Sequence, residues 1–179
     1  MKETVGHDVR DIIELFNHCF LENYSTILVK GDDEPIYLPS STECKYNQII
    51  FAHGYYASAL HEISHWLVAG SERRLLEDYG YWYCPDGRDK ETQSQFEAME
   101  VAPQSYEWML SVAANFPFQV SCDNLNGLFE PDHRAFRQRV YNKVIDRLKE
   151  PFSERFSILI NALHAFYKTP ALKPEQFIL

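Results

Sequence analysis

Residues 61–65 read His-Glu-Ile-Ser-His, and no other run constrains the fold of this chain as strongly. On an α-helix, positions i and i+4 lie on one face, so both imidazoles can reach a single metal ion. The setting is helical: Ala57, Ala59, Leu60, Ile63, Leu67 and Val68 supply apolar positions around the two histidines. With seven histidines in 179 residues, an HExxH run arises by chance roughly 2 times in 100. The plain alternative is a pair of surface or core histidines one turn apart.

Such a helix needs a body to pack on, and the composition provides one. Hydrophobic residues make up 45% and aromatics 15% of the chain, enough to bury a core and too much for a disordered segment. The net charge of −9 leaves no global field to hold a polyphosphate backbone or an anionic membrane, so direct nucleic-acid binding and membrane docking are disfavoured. No segment approaches the roughly 18 apolar residues of a membrane span, and residues 1–10 carry no secretory pattern. A soluble, cytoplasmic protein is expected. Cys19, Cys44, Cys84 and Cys122 are widely spaced without a CxxC pair, which suits free thiols in a reducing compartment.

No linker or repeat divides the chain, so residues 1–179 are read as one domain. Residues 8–23 form a helix by apolar periodicity, followed by a strand at 25–30 and an acidic turn at 31–35. Short strands follow at 36–38 and 48–52. A helix at 55–69 carries HExxH and stops at Gly70. Residues 81–84 are aromatic and extended, with a turn at 85–87. A further helix starts near Glu91 and reaches Tyr106 or beyond, with Pro103 expected to kink or interrupt it. Helices at 129–150, opened near Asp132, and at 153–168 complete an α+β domain with few early strands and several helices.

A metal held by two histidines needs at least a third protein ligand. Val68 and Ser71 stand where the longer HExxHxxGxxH pattern requires glycine and histidine, which excludes a three-histidine site of that kind. Gln93, Glu97, Glu100 and Gln104 recur at helical spacing and make one polar stripe on the later helix. Such a stripe is ordinarily a solvated face. With a ligand position to fill, Glu100 is the choice for the third ligand and Glu97 the alternate or supporting residue. Spacing alone does not separate them.

Two histidines and a carboxylate admit two chemistries. With zinc, Glu62 is the general base on a metal-bound water, giving a hydrolase or peptidase. With ferrous iron the same ligands form a facial triad for dioxygen, and Glu62 has no such duty. A non-catalytic metal-stabilised domain is a third reading, although a structural site closes with a fourth protein ligand, and none is evident.

The chain resembles the elongation factor P hydroxylase family over nearly its whole length. The resemblance is carried by GDDEPIYLP (31–39), FAHGYYASALHEISHW (51–66), GYWYCPDGRD (80–89), QSQFEAMEVAPQ (93–104) and VSCDNL (120–125). It implies hydroxylation of the elongation factor P lysine that already bears a β-lysyl group. It also implies dioxygen as co-substrate and a 2-His-1-carboxylate metal site, with Fe(II) as the metal, in a fold like the metal-dependent endoribonuclease-like α+β domains. Carried over, the ligands are His61, His65 and Glu100.

A β-lysyl-lysine carries two ammonium groups, so acidic or aromatic residues are expected near it. Asp32, Asp33 and Glu34 are candidates, against a plain solvated turn. Tyr81 and Trp82 are candidates to wall the pocket, against core packing. Arg88 is a candidate fork onto a carboxylate, against a surface arginine. His53 is read as a supporting or core histidine.

Overall fold

The computed structural model describes residues 6–80, 87–125, 127 and 129–179. The first helix, α1 (Val9–Tyr24), opens where the Asp8 carboxylate accepts from the Arg10 backbone N–H, satisfying one of the donors a helix start leaves open. It turns through Ser25 into β1 (Thr26–Lys30). Then follow β2 (Ile36–Leu38) and β3 (Asn47–Phe51). The sheet order is β1-β3-β2, with β1 parallel and β2 antiparallel to the central β3.

Beyond β3 the chain makes a tight corner. His53 and Gly54 both take positive φ, 56° and 66°, and a Cβ on Gly54 would lie 2.5 Å from Lys30 Cε. The left-handed φ of Gly54 favours glycine there, while the Lys30 side-chain end could move aside. The corner delivers the chain into α2 (Tyr56–Val68), which carries HExxH. The helices α3 (Lys90–Ala113), α4 (His133–Arg147) and α5 (Glu154–Tyr167) follow. The architecture is a small α+β domain, with α1 against β1, α2 between β3 and α3, and α4 on the far side of α3. Among the described residues, no helix is long and apolar enough to cross a membrane.

Trp66, Phe16 and Phe20 are fully buried and meet edge-to-face, with ring centroids 4.8–5.4 Å apart between Trp66 and the two phenylalanines. Each such side chain contributes about 1.5–3 kcal/mol by burial. This cluster locks the buried side of α2 against α1 and leaves the His61–His65 side turned to α3.

Two expectations about helix ends differ from the structure. Pro103 does not interrupt α3, which continues to Ala113. The bond lost is to the Met99 carbonyl. The nearby Ala102 carbonyl accepts from the Ser105 hydroxyl at 2.7 Å. Nor does Gly70 end α2 through a left-handed turn. Its last carbonyls are instead taken by arginines: Arg155 donates to Trp66 at 2.6 Å and to Ala69 at 2.8 Å, and Arg74 donates to Ala69 at 2.6 Å. A guanidinium at this end also complements the helix dipole.

Candidate metal centre

His61 and His65 stand one turn apart on α2, as the 3.6-residue period requires. Their Nε2 atoms face each other at 3.2 Å. Two imidazole nitrogens converge in this way around something shared, a proton or a cation. From α3, the Glu100 carboxylate closes the group, at 3.3 Å from His65 Nε2 and 3.8 Å from His61 Nε2. Metal–ligand bonds of about 2.0–2.2 Å meeting at 90–110° place neighbouring donor atoms about 2.8–3.6 Å apart. The Nε2–Nε2 and His65 Nε2–Glu100 Oε1 separations fall in that range, while the 3.8 Å approach to His61 is made by the other Glu100 oxygen, Oε2. The donor set therefore fits a divalent ion, and among the described residues it is the group of histidine, cysteine and acidic side chains able to hold one.

The stripe on α3 is buried rather than solvated, and each of its members has a distinct partner. Glu97, one turn before Glu100, is turned away from the histidines: its carboxylate accepts from Gln93 at 3.0 Å and pairs with Arg139 of α4. Gln104 donates to Glu100 at 3.0 Å. The same amide meets the Ser121 backbone twice, donating to its carbonyl at 2.6 Å and accepting from its N–H at 2.9 Å. A side chain thus mimics a β-bridge, fixing both the Glu100 carboxylate and the segment that runs past it.

Glu107 completes the arrangement, and it was not among the sequence candidates. Its Oε2 lies 2.8 Å from His61 Nδ1. A carboxylate on the far nitrogen keeps the proton there and leaves Nε2 free to face the centre. The available signal was helical periodicity, since Glu107 is the next step of the stripe after Gln104.

The electrostatics follow from this crowding. Burial opposes a charged imidazolium at His61, but Glu107, then Glu100 and Glu62, outweigh it and raise the His61 pKa to about 10. Burial likewise opposes the Glu100 carboxylate, yet His65 and His61 hold it down at about 2. The Glu62 carboxyl is pushed up by burial, against the pull of both imidazoles.

The remaining candidates fall in different places. Asp32, Asp33 and Glu34 are exposed on the turn between β1 and β2, and the Asp32 carbonyl accepts from the His53 N–H at 2.7 Å. His53 itself is exposed, so it is neither a core histidine nor a support of the centre. Arg88 is not a surface arginine. It is 6% exposed, donating to Gln93 at 2.7 Å and to the Asp123 carbonyl, with its guanidinium 4.0 Å from the Phe96 ring centroid. Tyr81 and Trp82 lie outside the described residues. Cys19, Cys44 and Cys122 carry free thiols.

The family model for Elongation factor P hydroxylase matches residues 15–177. A curated protein of Haemophilus influenzae, named Elongation factor P lysine hydroxylase, is 56% identical over 164 residues, which is 91% of each chain. The match runs through α2 and α3 alike, so it takes in both histidines and the acidic stripe that faces them. This chain belongs to the elongation factor P hydroxylase family.

Proposed function

We propose that this protein is a metal-dependent protein-lysine hydroxylase that modifies elongation factor P on a lysine already extended by a β-lysyl group. His61, His65 and Glu100 are its metal ligands, Fe(II) its metal and dioxygen its co-substrate, and it works in the cytoplasm as a single domain. The observation that carries the reading is the convergence of two Nε2 atoms and one carboxylate at 3.2–3.8 Å in a chain of this family. The likeness to metal-dependent endoribonuclease-like domains belongs to the same reading. A sheet of three strands among the described residues is compatible with it.

A ferrous ion in such a ligand set supplies dioxygen activation, because two histidines and one carboxylate leave coordination positions open. The chain supplies the rest. Glu107 holds the proton on His61 Nδ1, so that Nε2 is the free donor. Gln104 orients Glu100 by one hydrogen bond while anchoring Ser121 by two more. Buried Ile63 and Leu67 back the ligand helix and keep bulk water from behind the site. Asp32, Asp33 and Glu34 present negative charge on the surface to a doubly cationic side chain.

The test mixes the purified protein, ferrous iron, a reductant and β-lysylated elongation factor P under air. Mass spectrometry is expected to find one added oxygen on the modified lysine. No addition after iron reconstitution overturns the reading. A zinc hydrolase using Glu62 as base would instead cleave a bond and lose that activity in Glu62→Gln.

A further inference from the structure

Residues 116–124 form neither helix nor strand, yet they run back along the polar face of α3. Phe118 stacks on Trp108, Ser121 meets Gln104, and Asp123 and Asn124 lie against Arg88, just before the helix begins. Among the described residues, no backbone-to-backbone hydrogen bond involves 117–123. Side chains hold this strap instead. Gln93 and Gln104 do so in the same way, each amide donating to a carboxylate one turn away on α3 and to a strap carbonyl. Gln93 donates to Glu97 at 3.0 Å and to Cys122 at 2.8 Å. Gln104 donates to Glu100 at 3.0 Å and to Ser121 at 2.6 Å. The far end is clamped by Asn124. Its Oδ1 accepts from the Gly87 and Arg88 N–H groups at 3.0 and 2.8 Å. Its Nδ2 donates to the Arg88 and Phe129 carbonyls at 2.7 and 3.2 Å.

One of the two strap glutamines serves a candidate metal ligand. Gln104 donates to Glu100 Oε2, and Oε1 is left to face His65 Nε2 at 3.3 Å. Of the three hydrogen bonds that fix the buried Gln104 amide, two are made with Ser121. Gln104 therefore holds Glu100 in one direction only while the strap lies in place. With the strap away, the amide is free to rotate and the carboxylate loses that support. A metal bound at Glu100 then favours the closed strap, and by linkage the closed strap favours the metal. We propose that Asn124 is a positioning residue of the metal centre: by clamping the strap it fixes Gln104 and, through it, Glu100, so that strap closure and metal binding stabilise each other. The inference rests on the reading of His61, His65 and Glu100 as metal ligands. It makes the strap a part of that centre rather than a plain connection between α3 and α4.

Zinc is the probe, so that binding is read without turnover. Competition with a chromophoric chelator gives the zinc affinity of wild type, Asn124→Ala, Gln104→Leu and the double variant. Coupling through a residue that touches no ligand predicts that Asn124→Ala weakens zinc binding about 2- to 30-fold. In the Gln104→Leu background the link to Glu100 is already cut, and Asn124→Ala is expected to cost less than about twofold. A merely structural defect would lower affinity by the same factor in both backgrounds, and that result overturns the proposal. Unchanged affinity in Asn124→Ala overturns it as well. Amide hydrogen exchange on the wild-type protein depends on no variant. Zinc is expected to slow exchange at Ser121, Gly87 and Arg88, whose N–H groups donate to Gln104 and Asn124. The control is the Ser40 amide, which likewise donates to a side chain, that of Asn47, but lies outside the strap; its exchange is expected to stay the same. No slowing in the strap, or equal slowing at Ser40, overturns the proposal and leaves the ligand assignment standing. Failure of the wild-type protein to bind zinc overturns the ligand assignment and this proposal with it.

Discussion

Glu107 is the residue whose removal tests the centre most sharply, because it would act on a bound metal only through His61. It is 9% exposed and its Oε2 lies 2.8 Å from His61 Nδ1. Without that acceptor the ring is free to rotate or to carry its proton on Nε2, where it blocks coordination. Loss of such a partner behind a metal-ligating histidine lowers metal affinity about 10- to 100-fold, equivalent to about 1.4–2.7 kcal/mol. The expected series is wild type, then Glu107→Gln, then Glu107→Ala, since glutamine keeps an acceptor oxygen but not the charge. Competition of the metal-free protein against a chromophoric chelator measures the affinity, and the visible spectrum of a cobalt-loaded sample reads ligand geometry independently of activity. Glu97→Gln is the control. Its carboxylate serves Gln93 and Arg139, so that variant is expected to lower stability and leave metal affinity within about twofold of wild type. Metal affinity unchanged in Glu107→Ala would refute the positioning argument. A large affinity loss in Glu97→Gln would return Glu97 to the ligand set.

Three other expectations concern the scaffold and its approach surface. Arg155→Met strips the C-terminal carbonyls of α2 of a forked donor. About 2–3 kcal/mol of stability should go with it, a fall in Tm of about 4–12 °C, with Arg155→Lys recovering only part. A loss below about 1 kcal/mol in urea titration would count against it. Cys122 is fully buried, and burial pushes its thiol up to about 11. Iodoacetamide at pH 8 is therefore expected to spare it until urea unfolds the chain, and peptide mapping that finds Cys122 labelled in the folded protein would contradict that burial. Replacing Asp32, Asp33 and Glu34 together by Ala should change stability by no more than about 0.5 kcal/mol, because all three are exposed. It should also slow association with the cationic factor and flatten its salt dependence; an unchanged salt dependence would reduce this segment to a plain turn.

How far each part of this centre could be read in advance depends on how far its partners lie along the chain. The HExxH pair is a five-residue pattern whose meaning depends only on the helical period, and α2 has that period. The β2 strand falls on residues 36–38, and Asp132 opens α4 by accepting from Ala135, as local turn and cap chemistry leads one to expect. Glu107 is an intermediate case. Its helical step from Gln104 was available, but it sits inside the Tyr106–Leu110 run, whose other members are core residues, and an apolar run conceals a single inward carboxylate. The polar stripe on α3, whose plain alternative is a solvated face, is buried for a related reason. Periodicity identifies a face, whereas the Ser121 segment and Arg139 of α4, which cover that face, come from elsewhere in the chain. Arg155 is the extreme. It reaches carbonyls 86 to 89 positions away, so no local pattern marks it. A glycine after the last turn looked a sufficient stop because local rules reward it. Yet the end of the ligand helix is held by the packing of α5, which ties the position of both histidines to the last third of the chain.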